Sequence, residues 1–366
     1  MGFKCGIIGL PNVGKSTIFN ALTASTQAES ANYPFCTIEP NIGRILVPDE
    51  RLEKLSMLNK SKQIIPAHLD FSDIAGLVKG ASNGEGLGNQ FLGHIREVDA
   101  LLHVLRCFEN DNVTHVNDKV NPISDALIVE TELIIADLES VEKRIDSLRK
   151  KAKTKDKESI ELLKILDPIH DCLAKGYPAK DAEIPKKLIS LVKNLQLLTT
   201  KPIVYICNVE EKSIKSGNNF SESVNKMAEN KNSKCIILSA NIEAEISQIS
   251  STDEKQLFLD DLGINQSGLY QIINSGYDLL QLITFFTSGP KETRAWTIKE
   301  GTSAINAAGK IHTDFQRGFI RAETISYNDY IKHGGEIAAK NDGKLRSEGK
   351  DYIVKNGDII NFRFNV

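Results

Sequence analysis

Nine residues, GLPNVGKST at 9–17, limit what this chain can fold into more than any other stretch. They continue the apolar run CGIIGL (5–10) and open a segment, TIFNAL, that reads as a helix. A tight loop between a buried strand and a helix N-terminus aims backbone N–H groups and the positive end of the helix dipole at one point. The pattern is G-x-x-x-x-G-K-[ST], in the strand–loop–helix setting it requires. Asn12, Val13 and Gly14 shape the cradle, and Lys15 brings positive charge to the β- and γ-phosphates. Ser16 is placed for Mg²⁺, and Thr17 completes the turn.

Four further apolar runs have the length of buried parallel strands, each ending in a loop: HLDFSDIAG (68–76), ALLHVLRCF (100–108), PIVYICN (202–208) and CIILSA (235–240). Helical stretches separate them, which gives an α/β, doubly wound P-loop sheet with ligands at the carboxyl ends of the strands. The alternation breaks between 121 and 199. Leu138, Val141, Ile145, Leu148 and Ala152 form one helical stripe, and Leu162, Leu166, Ile169 and Leu173 form another beyond the polar TKDK segment. The pair reads as an inserted antiparallel coiled-coil hairpin. The remainder of the first part, 1–120 and 200–280, is assigned to the nucleotide domain. Residues 281–366 read as a small α+β module, its last strands expected as a hairpin about Asn356-Gly357.

Two more motifs separate switch proteins from other P-loop chains. DIAG (73–76) puts Asp73 where it holds Mg²⁺ through water, and Gly76 where its N–H reports a γ-phosphate. YPFCTIEPN (33–41) puts Thr37 in a loop able to close on the metal only when the γ-phosphate is present. Leu77 stands where many switch GTPases keep a water-positioning Gln, so hydrolysis is expected to be slow. NGEGLGN (83–89) adds a glycine-rich loop suited to movement with nucleotide state.

The base loop decides the nucleotide. A guanine reader carries Asn-Lys-x-Asp, whereas this chain has Asn208-Val209-Glu210-Glu211. Val209 replaces the lysine stem with an apolar wall, and Glu211 lengthens the carboxylate and disturbs the bidentate grip on guanine. Ser239 and Ala240 form the other side of the pocket. The residues favour ATP, with GTP as the alternative.

A formal net charge of −3, with 25% charged residues, gives no global attraction to nucleic acid, so such contacts must be local. The six cysteines show no C-x-x-C pair, which suits free thiols in a reducing compartment. No run long enough to span a bilayer appears, and no signal peptide is seen, so the expectation is a cytoplasmic protein without membrane contact; it is taken as a monomer, a state the sequence does not itself fix.

With these motifs in place, the chain resembles the YchF family of Obg-like ATPases nearly end to end. The carrying stretches are MGFKCGIIGLPNVGKST, YPFCTIEPN, DIAGLVKGASNGEGLGNQFL, RCFENDN, AWTIKEGT and GKIHTDFQRGFIRAE. The resemblance implies a P-loop domain, a coiled-coil insertion and a C-terminal TGS domain of β-grasp type. It also implies ATP preference, Mg²⁺ dependence, low basal ATPase turnover, and association with the ribosome, its large subunit included, or a part in translation and stress regulation. Nucleotide contacts map onto residues 12–17, Thr37, Asn208 and Val209, and a histidine implicated in hydrolysis maps onto His115. A nucleotide-gated RNA- or ribosome-binding module with incidental hydrolysis is the rival from another class.

Three local features each admit two readings. RKKAKTKDK (149–157), at the expected hairpin tip, suits an rRNA backbone or a solvated helix end equally. Lys310, His312, Arg317 and Arg321 surround Phe315 and Phe319, as an RNA surface or as charges round buried rings. Cys36, beside Thr37, is a redox-switch candidate or a small buried residue.

Overall fold

A computed structural model describes residues 3–30, 42–74, 87–110 and 119–365. β1 (Lys4–Ile8) runs through the glycine loop into α1 (Lys15–Ser30). β2 (Ile42–Leu46), α2 (Glu50–Asn59), β3 (Gln63–Ile65), β4 (His68–Asp73), α3 (Leu87–Glu97) and β5 (Ala100–Arg106) follow. α4 (Pro122–Ala152) and α5 (Lys157–Ala174) make a long pair, and the chain returns past α6 (Ile189–Val192) to β6 (Ile203–Asn208). Then come α7 (Asn219–Asn230), β7 (Lys234–Leu238), α8 (Ala240–Gln248), α9 (Thr252–Leu262) and α10 (Gly268–Leu279). The last part holds β8 (Leu282–Ser288), β9 (Glu292–Lys299), α11 (Ala304–Ile311), α12 (Thr313–Arg317), β10 (Phe319–Ser326), α13 (Tyr327–His333), α14 (Glu336–Asn341), β11 (Arg346–Glu348) and β12 (Asp358–Phe364).

The first sheet has the order β2-β4-β1-β5-β6-β7. Each of the five apolar runs supplies one strand, and all five pair in parallel. Only the edge strand β2 is antiparallel. β5 is buried at all seven positions, as a strand covered by helices on both faces must be. Its His103 is fully buried, and neither ring nitrogen has a partner among the described residues. Burial pushes its pKa down to about 4, so the imidazole is neutral inside the sheet.

The α4–α5 pair starts on clear local signals. Asn121 accepts from the Ser124 N–H with Pro122 in the first turn, and Asp156 caps α5 through the Ser159 N–H. Val141, Ile145, Leu166, Ile169 and Leu173 form its seam, joined by Ile165. In the first turns of α5, Leu163 and Ile165 pack here instead of the expected Leu162, while Leu166, Ile169 and Leu173 lie where the stripe puts them. At its base, the buried Asp137 accepts from the Leu198 and Thr199 N–H groups at 2.9 and 2.8 Å and from the Thr199 hydroxyl at 2.7 Å. That clamp ties the outgoing helix to the chain as it comes back.

The second sheet, β11-β10-β12-β8-β9-β3, departs from the sequence reading twice. The expected hairpin at Asn356-Gly357 does not form. The turn is there, with Gly357 at φ 88° and the Asp358 N–H on the Lys355 carbonyl. The segment before it makes only an isolated bridge, Ser303↔Ile353, while β12 pairs with β10 and β8. Asn356 is drawn elsewhere: its Oδ1 accepts from the Thr284 N–H and the Arg51 guanidinium. The second departure is β3, which lies between β2 and β4 in the chain but pairs with β9, Gln63–Ile65 alongside 292–294. Asn59 reinforces that joint through Ser288 and the Tyr330 hydroxyl, and Ser61 does so through the Gly289 carbonyl. Among the described residues, no helix is long and apolar enough to cross a membrane.

Candidate nucleotide site

The glycine loop is held open by backbone geometry that side chains would obstruct. Gly14 has φ 102°, and a Cβ there would lie 2.4 Å from Asn208 Nδ2. A Cβ on Gly9 would lie 2.5 Å from the Val104 carbonyl of β5. Asn12 takes φ 61° at the exposed crest of the turn, a conformation Asn tolerates. α1 begins as the Ile18 N–H reaches the Gly14 carbonyl at 3.0 Å. The N–H groups of the first turn have no place inside the helix and are left for a ligand.

Lys15 is buried, and its ammonium donates to the Leu10 carbonyl at 2.7 Å. Burial lowers its pKa, and the nearby Asp73 works the other way. The Ser16 hydroxyl donates to Asp73 Oδ2 at 2.9 Å, bringing together two groups far apart in sequence. Asp73 Oδ1 is buried without a hydrogen-bond partner among the described residues. A buried carboxylate oxygen in that condition is costly unless a cation or water meets it. With a serine hydroxyl alongside, this oxygen donor set fits Mg²⁺, which takes one or two protein oxygens and keeps its waters. Thr17 is half-buried on the first turn of α1. Thr37, Gly76, His115, Leu77 and Cys36 lie outside the described residues.

The base loop is built differently from the sequence picture. Asn208, at the end of β6, donates from Nδ2 to the Val13 carbonyl and accepts at Oδ1 from the Ala240 N–H, both at 2.9 Å. It therefore braces the phosphate loop against the start of α8, with its orientation fixed by the protein. Val209 is 2% exposed, its N–H on the Leu238 carbonyl, and packs beneath the loop with Leu105, Cys207 and Val224. Little of it is left to wall a base. Glu211 is exposed and begins a short 3-10 turn, Glu211–Ser213. Ser239 and Ala240 are buried at the head of α8, where the Ser239 carbonyl accepts from the Glu243 N–H.

Neighbouring groups support this frame. Buried Glu243 receives the Gly268 and Leu269 N–H groups at 2.5 and 3.2 Å, closing the α10 N-terminus, and burial pushes its pKa up to about 7. Arg106, beside Asn208 in the sheet, is almost fully buried and donates to the Phe108 and Asn110 carbonyls, shaping the loop after β5. Both bonds are local, to residues two and four further along the chain, so Arg106 folds its own following segment back on itself. An open groove of about 960 Å³, lined by Glu210, Glu211, Lys212, Lys215 and Phe220, adjoins the base loop and contains no phosphate-loop residue.

Comparison with known proteins puts this arrangement in context. The chain is 52% identical over 368 residues to the Bacillus subtilis ribosome-binding ATPase YchF, each chain covered in full. It belongs to the YchF family. The Escherichia coli O157:H7 ribosome-binding ATPase YchF is 50% identical over 366 residues, again with full coverage of both. Residues 4–137 match a family model described as 50S ribosome-binding GTPase. Residues 282–365 match the YchF-GTPase_C model, described as a protein of unknown function. The solved structure of the Schizosaccharomyces pombe YchF GTPase superposes with a TM-score of 0.88 at 37% identity, covering 99% of this chain and 98% of that one. The P-loop sheet, the inserted helical pair and the C-terminal α+β part are thus the fold of the YchF family.

Proposed function

We propose that this chain is a Mg²⁺-dependent P-loop ATPase of low turnover that associates with ribosomes according to its nucleotide state. The observation that carries the reading is the Ser16–Asp73 pair, with one Asp73 oxygen unpartnered beside a braced phosphate loop. Mg²⁺, when bound, would supply neutralising charge at the phosphates. Ser16 and Asp73 hold it, joined by Thr37. Residues 12–17 wrap the phosphates, and Lys15 exchanges the Leu10 carbonyl for phosphate oxygens. Gly76 reports the γ-phosphate, and His115 serves hydrolysis in place of the Gln absent at Leu77. Asn208, Val209, Glu211, Ser239 and Ala240 frame the base. Asn208 acts through the loop it fixes, and Val209 through packing under the pocket.

The relatives from Bacillus subtilis and Escherichia coli are named ribosome-binding ATPases, which supports both the nucleotide and the partner. We assign 1–120 with 200–280 to the nucleotide domain, 121–199 to the coiled-coil arm and 281–366 to a TGS domain. The basic tip at 149–157 is offered to rRNA of the large subunit. We take the chain to act in the cytoplasm, where ribosomes are, and as a monomer. The Schizosaccharomyces pombe relative is named a GTPase, which keeps GTP as the second reading.

Calorimetric titration with ATP and GTP in Mg²⁺ tests the choice. ATP should bind at least tenfold tighter, and Lys15→Ala should weaken it about 100-fold, roughly 3 kcal/mol for a charge-assisted phosphate contact. Tighter GTP binding overturns the base assignment. Unchanged binding in Lys15→Ala overturns the site.

A further inference from the structure

β12 lies inside the second sheet, yet only its beginning is paired on both sides. Against β10 it keeps register from Asp358 to Phe364, with one irregularity. Against β8 the ladder has a single pair, Ile359↔Phe286. In that parallel register Ser288, the last residue of β8, is level with Asn361. The chain then turns into β9, the Gly289 N–H reaching the Glu292 carbonyl at 3.0 Å. Phe362–Phe364 therefore show a strand edge with no strand beside it among the described residues. Proteins usually cover, shorten or charge such edges, because the free N–H and C=O groups pair with any strand that arrives.

This edge opens on a cavity of about 400 Å³ walled by Trp296, Ile311, Phe315 and Phe364. Its walls are fixed. Trp296 donates from Nε1 to Thr287 Oγ1 at 2.9 Å and carries the Arg294 guanidinium 4.0 Å above its ring. Phe315 stacks on Phe364 at 3.9 Å. Acidic groups border the cavity. Glu323 is occupied by Arg321 and Arg363, whereas Glu292 and Glu336 have no ion-pair partner among the described residues. A free strand edge, an apolar slot for alternate side chains and unpaired carboxylates together match one kind of ligand. Peptides recognised by strand addition use main-chain bonds for affinity and alternate pockets for selectivity. A nucleic acid brings neither the repeating amide pattern nor the charge that Glu292 and Glu336 favour.

We propose that the free half of β12 is a docking edge for an extended segment of a partner protein in which apolar and cationic residues alternate. The probe is a fluorescein-labelled octapeptide of alternating valine and lysine, titrated into the full chain by anisotropy. Saturable binding is expected, with slowed amide exchange confined to residues 362–364. N-methylation of every second amide, or glutamate in place of lysine, should weaken it at least tenfold. A Glu292→Lys, Glu336→Lys double variant, altered only at the cavity border, should bind the lysine peptide at least fivefold more weakly and recover the glutamate peptide. The proposal is overturned if the lysine peptide does not bind or if the N-methylated peptide binds equally well. It is also overturned if the charge swap changes nothing, or if a labelled oligoribonucleotide displaces the peptide from the same amides.

Discussion

The two six-stranded sheets solve opposite problems. The first is an open sheet enclosed by helices: its five parallel strands form one block, and the phosphate loop, Asp73 and Asn208 all sit at one end of them. The second is mostly antiparallel, takes β3 from the first part of the chain, and leaves the end of β12 without a strand on its β8 side among the described residues. Burial of a continuous sheet makes a rigid platform for chemistry, whereas a shared sheet makes a joint. The C-terminal part should then follow the nucleotide domain as one body, because a strand and the Asn59 bonds are common to both.

The strongest test of that difference is Phe285→Ala, which empties the centre of the second sheet's own cluster. It should cost about 3–5 kcal/mol. If the joint couples the sheets, denaturant unfolding remains one transition. Fluorescence of the single tryptophan, Trp296 in β9, and loss of nucleotide binding then shift together. Separate midpoints would show the second sheet to be an independent unit.

Acid should expose the first sheet's particular weakness. His103 titrates near its ordinary 6.5 when unfolded and near 4 when folded. As pH falls from 6.5 towards 4, the unfolded chain gains a proton that the folded chain refuses, so stability falls; below 4 the loss levels off. The stability of His103→Leu relative to the parent should therefore rise by about 3 kcal/mol across that window. Parallel denaturation curves at pH 7 and pH 4.5 check it, and a constant difference would mean that the ring binds its proton as readily in the fold as in the unfolded chain.

A smaller effect is expected at the joint itself. Asn59→Ala removes the partner of the buried Tyr330 hydroxyl and should cost about 1–2 kcal/mol. It should also begin to part the two midpoints, which a core substitution does not.

These contrasts also explain what could be read from sequence. β1, β4, β5, β6 and β7 stood out as apolar runs because burial on both faces leaves little room for polar residues. β3 is three residues, QII, and nothing local says which sheet it joins. Asn356-Gly357 makes its turn as the dipeptide predicts, but the hairpin loses to the bonds Asn356 makes with Thr284 and Arg51. At the candidate site, the motifs single out Lys15, Ser16 and Asp73 by residue type and order, and the fold brings Ser16 against Asp73; the phosphate and metal roles are those proposed above. Asn208 and Val209 were legible as positions only, since a brace and a packing residue are defined by neighbours distant in sequence.

The Asp137 clamp has one more consequence. α4 leaves the nucleotide domain and the chain comes back at 198–199, and these two crossings are knotted by three hydrogen bonds to one carboxylate. Everything beyond that knot is, for the rest of the molecule, a closed loop with fixed ends. Over evolutionary time such a loop is free to lengthen or shorten by matched turns on α4 and α5 without disturbing β6 or the residues it carries. The reach of the arm and the chemistry at the P-loop are then separately selectable traits of a single chain.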